Sequence, residues 1–235
     1  MSQWWTYRLG DFLLFSPRTY YRLLELYNLA IWPAQVAGLA LGLVIVVALL
    51  AGPSPQRGRV IAGLLALGWA WSGWMFHHER YAQINWAASW FAEAFALQAV
   101  LLVVLGAGAG RIVLAPSRGG MRWVAPVLVA AVVVAYPLLA PLGGRAWTTA
   151  EVFGVAPDPT ALATVATLAL VGGRMRWLLL AIPLLWCAIA VATLWAMGAR
   201  EAVVMGVTAL LALLPASRGS RRVPWRHGCR NVRKA

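Results

Sequence analysis

The 235-residue sequence is 62% hydrophobic and only 11% charged, whereas about 25% of the residues in an ordinary soluble domain carry a charge. A soluble fold of this length needs a larger charged surface, so the composition argues against that class. The 20 Lys and Arg residues outnumber the 7 Asp and Glu residues, a bias that can indicate nucleic-acid binding. In a membrane protein, basic loops instead set the topology and contact anionic lipid. We therefore expect an all-α integral membrane protein that does not bind nucleic acid.

The charged residues are unevenly distributed, which leaves long apolar segments. No Asp, Glu, Lys or Arg occurs over 26–56, 123–144 or 177–199, and each segment exceeds the roughly 20 residues that cross a bilayer as a helix. The pattern predicts seven spans, at 31–51, 60–76, 85–105, 124–142, 160–173, 177–197 and 202–215. Six spans are the alternative, with the short fifth segment left out. Tryptophan, which favours the membrane–water boundary, marks several predicted ends: Trp32, Trp74, Trp86, Trp123, Trp177 and Trp195.

The Lys and Arg residues indicate the orientation of these spans. The segment 216–235 holds seven of them and little apolar content, which predicts a disordered cytoplasmic tail that contacts anionic lipid headgroups. With seven spans, the cytoplasmic loops hold seven arginines and the outside loops hold three, and the N-terminus lies outside. The sequence thus divides into an N-terminal segment (1–30), a helical bundle (31–215) and the tail.

The N-terminal segment has the pattern of an amphipathic helix. Ser16 and Pro17 are typical of a helix start, as the N-cap and the first helical residue. Arg18, Arg22 and Glu25 fall on one side. A second face collects the apolar and aromatic positions Tyr20, Leu24, Tyr27 and Ile31. Such a helix is expected to lie in the membrane interface, and a lid over a transport path is the alternative.

A polar stripe leads into the third predicted span. Tyr81, Asn85, Ser89 and Glu93 recur every four residues and therefore follow one side of a helix. Glu93 lies about 10 Å beyond Trp86 at 1.5 Å per residue, and a carboxylate at that depth must be paired, protonated or hydrated. The stripe predicts a hydrated or proton-conducting track. The alternative is a protonated, structural Glu93 that is hydrogen-bonded to a neighbouring helix.

The motif His77-His78-Glu79-Arg80 stands at the outer end of the second span, close to the polar stripe. Because histidine titrates near neutral pH, His77 and His78 could extend the track as a proton relay. The alternative is a polar turn among the headgroups. Adjacent helical residues point about 100° apart, so the motif does not predict a metal site.

Two further patterns concern helix packing. Gly38 and Gly42 form a GxxxG motif, which predicts close helix contact within the bundle or a homo-oligomer. Thr160, Thr164 and Thr167 form a stripe that we expect to pack against another helix. No Ser/His/Asp set, HExxH motif or phosphate-binding loop is present in the sequence, so we predict neither an enzyme nor a cofactor.

Four further segments stand out: WWTYRLGDFLLFSPRTYYRL at 4–23, ELYN at 25–28, RYAQINWAA at 80–88 and FALQ at 95–98. They resemble a bacterial family of unknown function that consists of small multi-pass inner-membrane proteins. The resemblance is strongest over residues 1–105, and some members are labelled as permeases of the major facilitator type. It implies an inner-membrane location and no established substrate or site residue.

These observations lead to two functional hypotheses. The first is a permease-like protein that moves a small molecule or ion, coupled to protons through Glu93. The second is a membrane scaffold or sensor that transports nothing and uses its N-terminal helix and basic tail as contact surfaces.

Overall fold

The computed structural model describes residue 10 and residues 13–114 and 121–218. Regular structure in these ranges is helical, apart from one antiparallel bridge between Leu114 and Val171. The α-helices are α1 (Pro17–Ala30), α2 (Ala34–Leu50), α3 (Pro55–Trp71), α4 (Ala88–Leu101), α5 (Met121–Ala130), α6 (Leu139–Leu142), α7 (Pro157–Leu168), α8 (Met175–Ala196) and α9 (Glu201–Arg218). Wider π-helical turns extend α3, α4 and α5 over Ser72–His78, Leu102–Gly108 and Ala131–Ala135.

The bundle has two ends. At the first, which we call the α1 end, the side chains of Arg145 and Glu201 form an ion pair and the ring of Phe15 contacts that of Tyr81. At the opposite end, called the Ile112 end, the start of α3 packs on the backbone of Ile112. Between them lies a central segment, 149–171, in which every residue is buried. It includes α7, which packs against α3, α5, α8 and α9.

Within the described ranges, four helical stretches are long and apolar enough to cross a membrane: Pro55–Gln83, Ala88–Gly108, Arg122–Leu142 and Met175–Ala196. A fifth is added if α1 and α2, which meet at an angle of 89°, count as one broken span. The prediction of seven helical spans is therefore not supported. The predicted fifth span corresponds to α7, whose 12 residues cover only about 18 Å because the chain before Pro157 is not helical. The predicted seventh corresponds to the short apolar helix Glu201–Leu214.

The N-terminal helix begins where its sequence predicts. Ser16 caps α1 by accepting a hydrogen bond from the backbone N–H of Thr19 at 3.1 Å, and Pro17 is its first residue. The predicted apolar face is buried against the bundle, while Arg18 and Arg22 are exposed. Most of the predicted tail, namely 219–235, lies outside the described residues, as does nearly all of the chain before Leu13.

The GxxxG motif brings α2 onto the central segment. A Cβ atom added at Gly38 would collide with the backbone oxygen of Phe153, and one added at Gly42 would lie 2.6 Å from a methyl group of Val133. The glycines therefore serve close packing within one chain, one of the two outcomes that the motif predicts.

Candidate functional site

The structure separates the six residues of the predicted polar track. His77 and Tyr81 are buried, with their ring centroids 5.9 Å apart. Ser89 and Glu93 are exposed on the outer side of α4. Asn85 is half-buried, and its side-chain oxygen accepts a hydrogen bond from the backbone N–H of Ala87 at 3.0 Å. The exposed His78 stacks on Trp74 with the centroids 4.6 Å apart. Glu93 therefore lies on the outer surface of the bundle and is not next to His77.

His77 occupies an aromatic enclosure in the protein interior. Its ring centroid is 4.5 Å from that of Phe95 and 4.7 Å from that of Trp186. Neither ring nitrogen has a hydrogen-bond partner among the residues that the structure describes. A neutral imidazole with both nitrogens free can donate one hydrogen bond and accept another.

Two carboxyl groups that the sequence analysis did not single out lie inside the protein. Glu151 and Asp158 belong to the central segment, and their exposed fractions are 6% and 2%. The indole nitrogen of Trp186 donates a 2.9 Å hydrogen bond to one oxygen of Asp158. The second carboxyl oxygen of Glu151 has no partner within the described ranges. A buried, incompletely bonded carboxylate is costly, which favours the protonated form.

The backbone around these carboxyl groups is irregular for local reasons. Pro157 and Pro159 are tolerated only in the first turn of α7, because proline lacks the N–H that the helix interior requires. Gly154 has a positive φ of 83°, and its N–H donates to the hydroxyl of Thr160 at 2.9 Å. The chain therefore turns into α7 in the interior and leaves Asp158 in the first turn of a buried helix.

The threonine stripe of α7 packs as its spacing predicts. The hydroxyls of Thr160, Thr164 and Thr167 each donate to a backbone carbonyl four residues earlier, at 2.6–2.8 Å. Thr164 also accepts a 2.8 Å hydrogen bond from the indole of Trp69, which belongs to α3. The stripe thus joins α7 to a neighbouring helix.

The ion pair at the α1 end lies close enough to the carboxyl group of Glu151 to act on it electrostatically. Arg145 and Glu201 are 2.6 Å apart, with side chains that are 16% and 12% exposed. The Arg145 guanidinium also lies 4.2 Å above the ring of Tyr21. Arg145 and Glu201 both act electrostatically on Glu151. The ionisable groups therefore form a series from the α1 end through Glu151 to Asp158.

Burial raises the pKa of Glu151 well above its ordinary value, and the neighbouring Asp158 raises it further, while Arg145 opposes the shift. Burial likewise raises the pKa of Asp158, against the effect of the hydrogen bond from Trp186. The two carboxyl groups are coupled, so protons leave the pair in steps that belong to both. The pair therefore keeps a proton to higher pH than two separate, exposed carboxyl groups would.

A small cavity of about 10 Å³ adjoins Asp158. Tyr20, Tyr81, Trp186 and Thr193 contribute to its wall. That volume holds about one water molecule, which the carboxyl and hydroxyl groups could bind. No group of three or more His, Cys, Asp or Glu residues placed to hold a metal occurs in the described part of the chain.

The sequence contains a signal for the buried pair. From 146 to 173 it has two acids, Glu151 and Asp158, and no Lys or Arg, so neither acid has a basic partner nearby in the chain. Short apolar runs around an unpaired acid indicate a carboxyl group that folds into the interior.

The fold and this site define an all-helical protein with a carboxyl pair in its interior. The model of a family of unknown function, DUF6064, matches residues 18–223, and the chain belongs to that family. The resemblance to a family of unknown function is thereby confirmed. The match includes α1, the central segment and both carboxyl groups. No curated protein and no solved structure matches the chain.

Proposed function

We propose that this chain is a multi-pass protein of the bacterial inner membrane that binds and releases a proton at Glu151 and Asp158 while a small molecule or ion crosses. In this proposal the chain is permease-like. The proton site is the interior pair, because Glu93, the acid that the sequence pattern favours, lies on the outer surface of α4.

The outer surface of the bundle supports insertion in a bilayer. Leu and Val side chains on the outer faces of the candidate spans are widely exposed, and soluble monomers rarely expose such large apolar surfaces. Exposed tryptophans occur near both ends, as expected at two membrane–water boundaries. Near the α1 end they are Trp32, Trp74, Trp86, Trp90, Trp147 and Trp195, and near the Ile112 end they are Trp123 and Trp177.

The charges support an orientation with the Ile112 end in the cytoplasm. The described residues at that end include six arginines and no acid: Arg57, Arg59, Arg111, Arg122, Arg174 and Arg176. α9 runs antiparallel to α8 and returns to this end, and the sequence beyond it adds six Lys and Arg residues. Basic residues are retained on the cytoplasmic side, where this tail would meet anionic lipid headgroups.

The observation that carries the proposal is the buried carboxyl of Glu151 in a non-helical part of the central segment, where one of its oxygens has no partner among the described residues. Irregular backbone at membrane depth is tolerated where protein or a cavity surrounds it, and broken helices often form the binding sites of transporters. An ionisable side chain in such a place is expensive to bury, and proton relays are one function that offsets the cost.

The experiment compares proton flux in liposomes that contain the purified protein and a pH-sensitive dye, under a potassium diffusion potential. We expect the wild type to conduct protons faster than protein-free liposomes. Glu151→Gln and Asp158→Asn should reduce the flux to the protein-free level, whereas Glu93→Gln should leave it unchanged. If proton flux is lost in Glu93→Gln but kept in Glu151→Gln, the proton site is at Glu93, as the polar stripe in the sequence predicts.

A non-transporting scaffold or sensor is the second candidate, and the tight interior favours it. The cavity beside Asp158 has room for about one water molecule, and the central segment packs closely on Gly38. In that case the wild type conducts no faster than protein-free liposomes, and the carboxyl pair is a protonated structural element.

A further inference from the structure

A groove of about 410 Å³ opens at the α1 end between α1 and the turn that follows α3. Besides the polar Thr19 and Gln83, its wall has a cationic part and an apolar part. The cationic part consists of Arg18, Arg22 and Arg80, and the apolar part consists of Leu23, Leu26 and Ile84. The groove is therefore amphipathic.

The cations in this groove are only partly neutralised. Arg22 forms a 2.7 Å ion pair with Glu25, but both side chains are accessible, at 61% and 31%. Arg18 and Arg80 have no ion-pair partner within the residues described. Guanidinium groups bind phosphate with paired, charge-assisted hydrogen bonds. The guanidinium groups of Arg18 and Arg80 would both be available to bind an incoming phosphate.

We propose that this groove binds a phospholipid with an anionic headgroup. Arg18 and Arg80 contact the phosphate, and the start of an acyl chain lies along Leu23, Leu26 and Ile84. The inference rests on the membrane insertion in the proposed function. It does not depend on proton movement.

The apolar wall selects a lipid over a free anion. A soluble phosphate would leave the three aliphatic side chains uncovered, whereas an acyl chain removes them from water at about 25 cal/mol per Å² of buried apolar area. Leu26 and the neighbouring Leu29 are 46% and 58% exposed, so the apolar surface continues along α1 beyond the groove.

The test is a titration of the purified full-length protein in neutral detergent with phosphatidylglycerol and, separately, with phosphatidylcholine, followed by native mass spectrometry. We expect phosphatidylglycerol to bind the wild type at least about tenfold more tightly. The double variant Arg18→Gln/Arg80→Gln should lose that preference. Arg200→Gln removes an exposed positive charge at the same end outside the groove, and it should retain the preference.

A second arm separates a lipid from a free phosphate. Leu26→Ala should weaken phosphatidylglycerol binding severalfold, and millimolar inorganic phosphate should fail to displace the lipid. Displacement by phosphate together with wild-type lipid binding in Leu26→Ala would overturn the proposal. Equal binding of the two lipids by the wild type would do the same.

Failure of this inference can be told from failure of the proposed function. A protein that needs detergent for solubility but lacks the lipid preference would contradict only the groove. A protein that stays soluble and monodisperse without detergent would contradict membrane insertion as well. Thermal unfolding of the double variant checks that its fold is intact.

Discussion

The hydroxyl of Tyr27 donates a 2.6 Å hydrogen bond to the backbone carbonyl of Val155 and thereby joins α1 to the central segment. The same oxygen accepts a 3.0 Å hydrogen bond from the indole of Trp71. Next to it, the side-chain nitrogen of Asn28 donates to the carbonyls of Thr148 and Ala150, each at 2.8 Å. These carbonyls have no helical partner, so α1 supplies the hydrogen bonds that a buried, irregular backbone requires.

Tyr27→Phe should destabilise the protein by about 1–3 kcal/mol, because it leaves the buried Val155 carbonyl without a partner and also removes the acceptor of the Trp71 N–H. Thermal unfolding in detergent measures the change. Tyr21→Phe on the same helix is the matched control, since a phenylalanine ring can keep the contact with the Arg145 guanidinium. Equal losses in the two variants would show that the hydroxyl of Tyr27 has no special role.

Stability should fall as the pH rises above the ordinary pKa of a glutamate. Burial raises the pKa of Glu151 in the folded protein, so the unfolded chain releases this proton first and folding becomes less favourable at higher pH. The unfolding temperature of the wild type should therefore decrease between about pH 5 and pH 8, and less steeply in Glu151→Gln. Glu79→Gln, which changes an exposed carboxylate, should keep the wild-type slope. If the unfolding temperature of Glu151→Gln falls with pH as steeply as that of the wild type, Glu151 is not the cause of the pH dependence.

The two members of the ion pair at the α1 end should shift the pKa of Glu151 in opposite directions. Arg145 lowers the pKa of Glu151 and Glu201 raises it, although burial is the largest cause of the shift. Arg145→Gln should therefore move the titration of Glu151 to higher pH, and Glu201→Gln should move it to lower pH. The infrared band of the protonated carboxyl, identified by its loss in Glu151→Gln, reports the midpoint. Shifts in the same direction would mean that the variants act through a change in structure.

Gly38→Ala should destabilise the protein strongly, because the added methyl collides with the backbone oxygen of Phe153 and the central segment must move. Gly63→Ala in α3 is the matched control, since no atom lies within 4 Å of its added Cβ. It should be neutral or stabilise by up to about 1 kcal/mol through helix propensity. Unfolding temperatures in detergent compare the two. A Gly38→Ala protein as stable as the wild type would mean that the contact between α2 and Phe153 is loose.

Local sequence patterns predicted the parts of the structure that depend on neighbouring residues. Ser16 and Pro17 set the start of α1, and the spacing of Tyr20, Leu24 and Tyr27 defined its buried face, because a cap and a helical period act over a few residues. The close contact at Gly38 was likewise available from the GxxxG spacing. The long apolar stretches alone identified the helical class.

The direction of the polar stripe could not be read from its period. Because Ser89 and Glu93 are four residues apart, they lie on one side of α4. The helix carries apolar residues on all of its sides, so its sequence does not show which side meets the bundle. Tertiary packing turned the side with Phe95 and Gln98 inward and left Glu93 outside.

By itself, the sequence determined an apolar helical protein, the start and buried face of its first helix, and the unpaired acids between 146 and 173. Only the tertiary structure decided that Glu151 and Asp158 lie inside. Their burial results from packing by helices that are distant in the chain, among them α1, α3 and α8. A carboxyl group acquires its proton affinity from the water and charges around it, and that environment exists only after those helices have assembled.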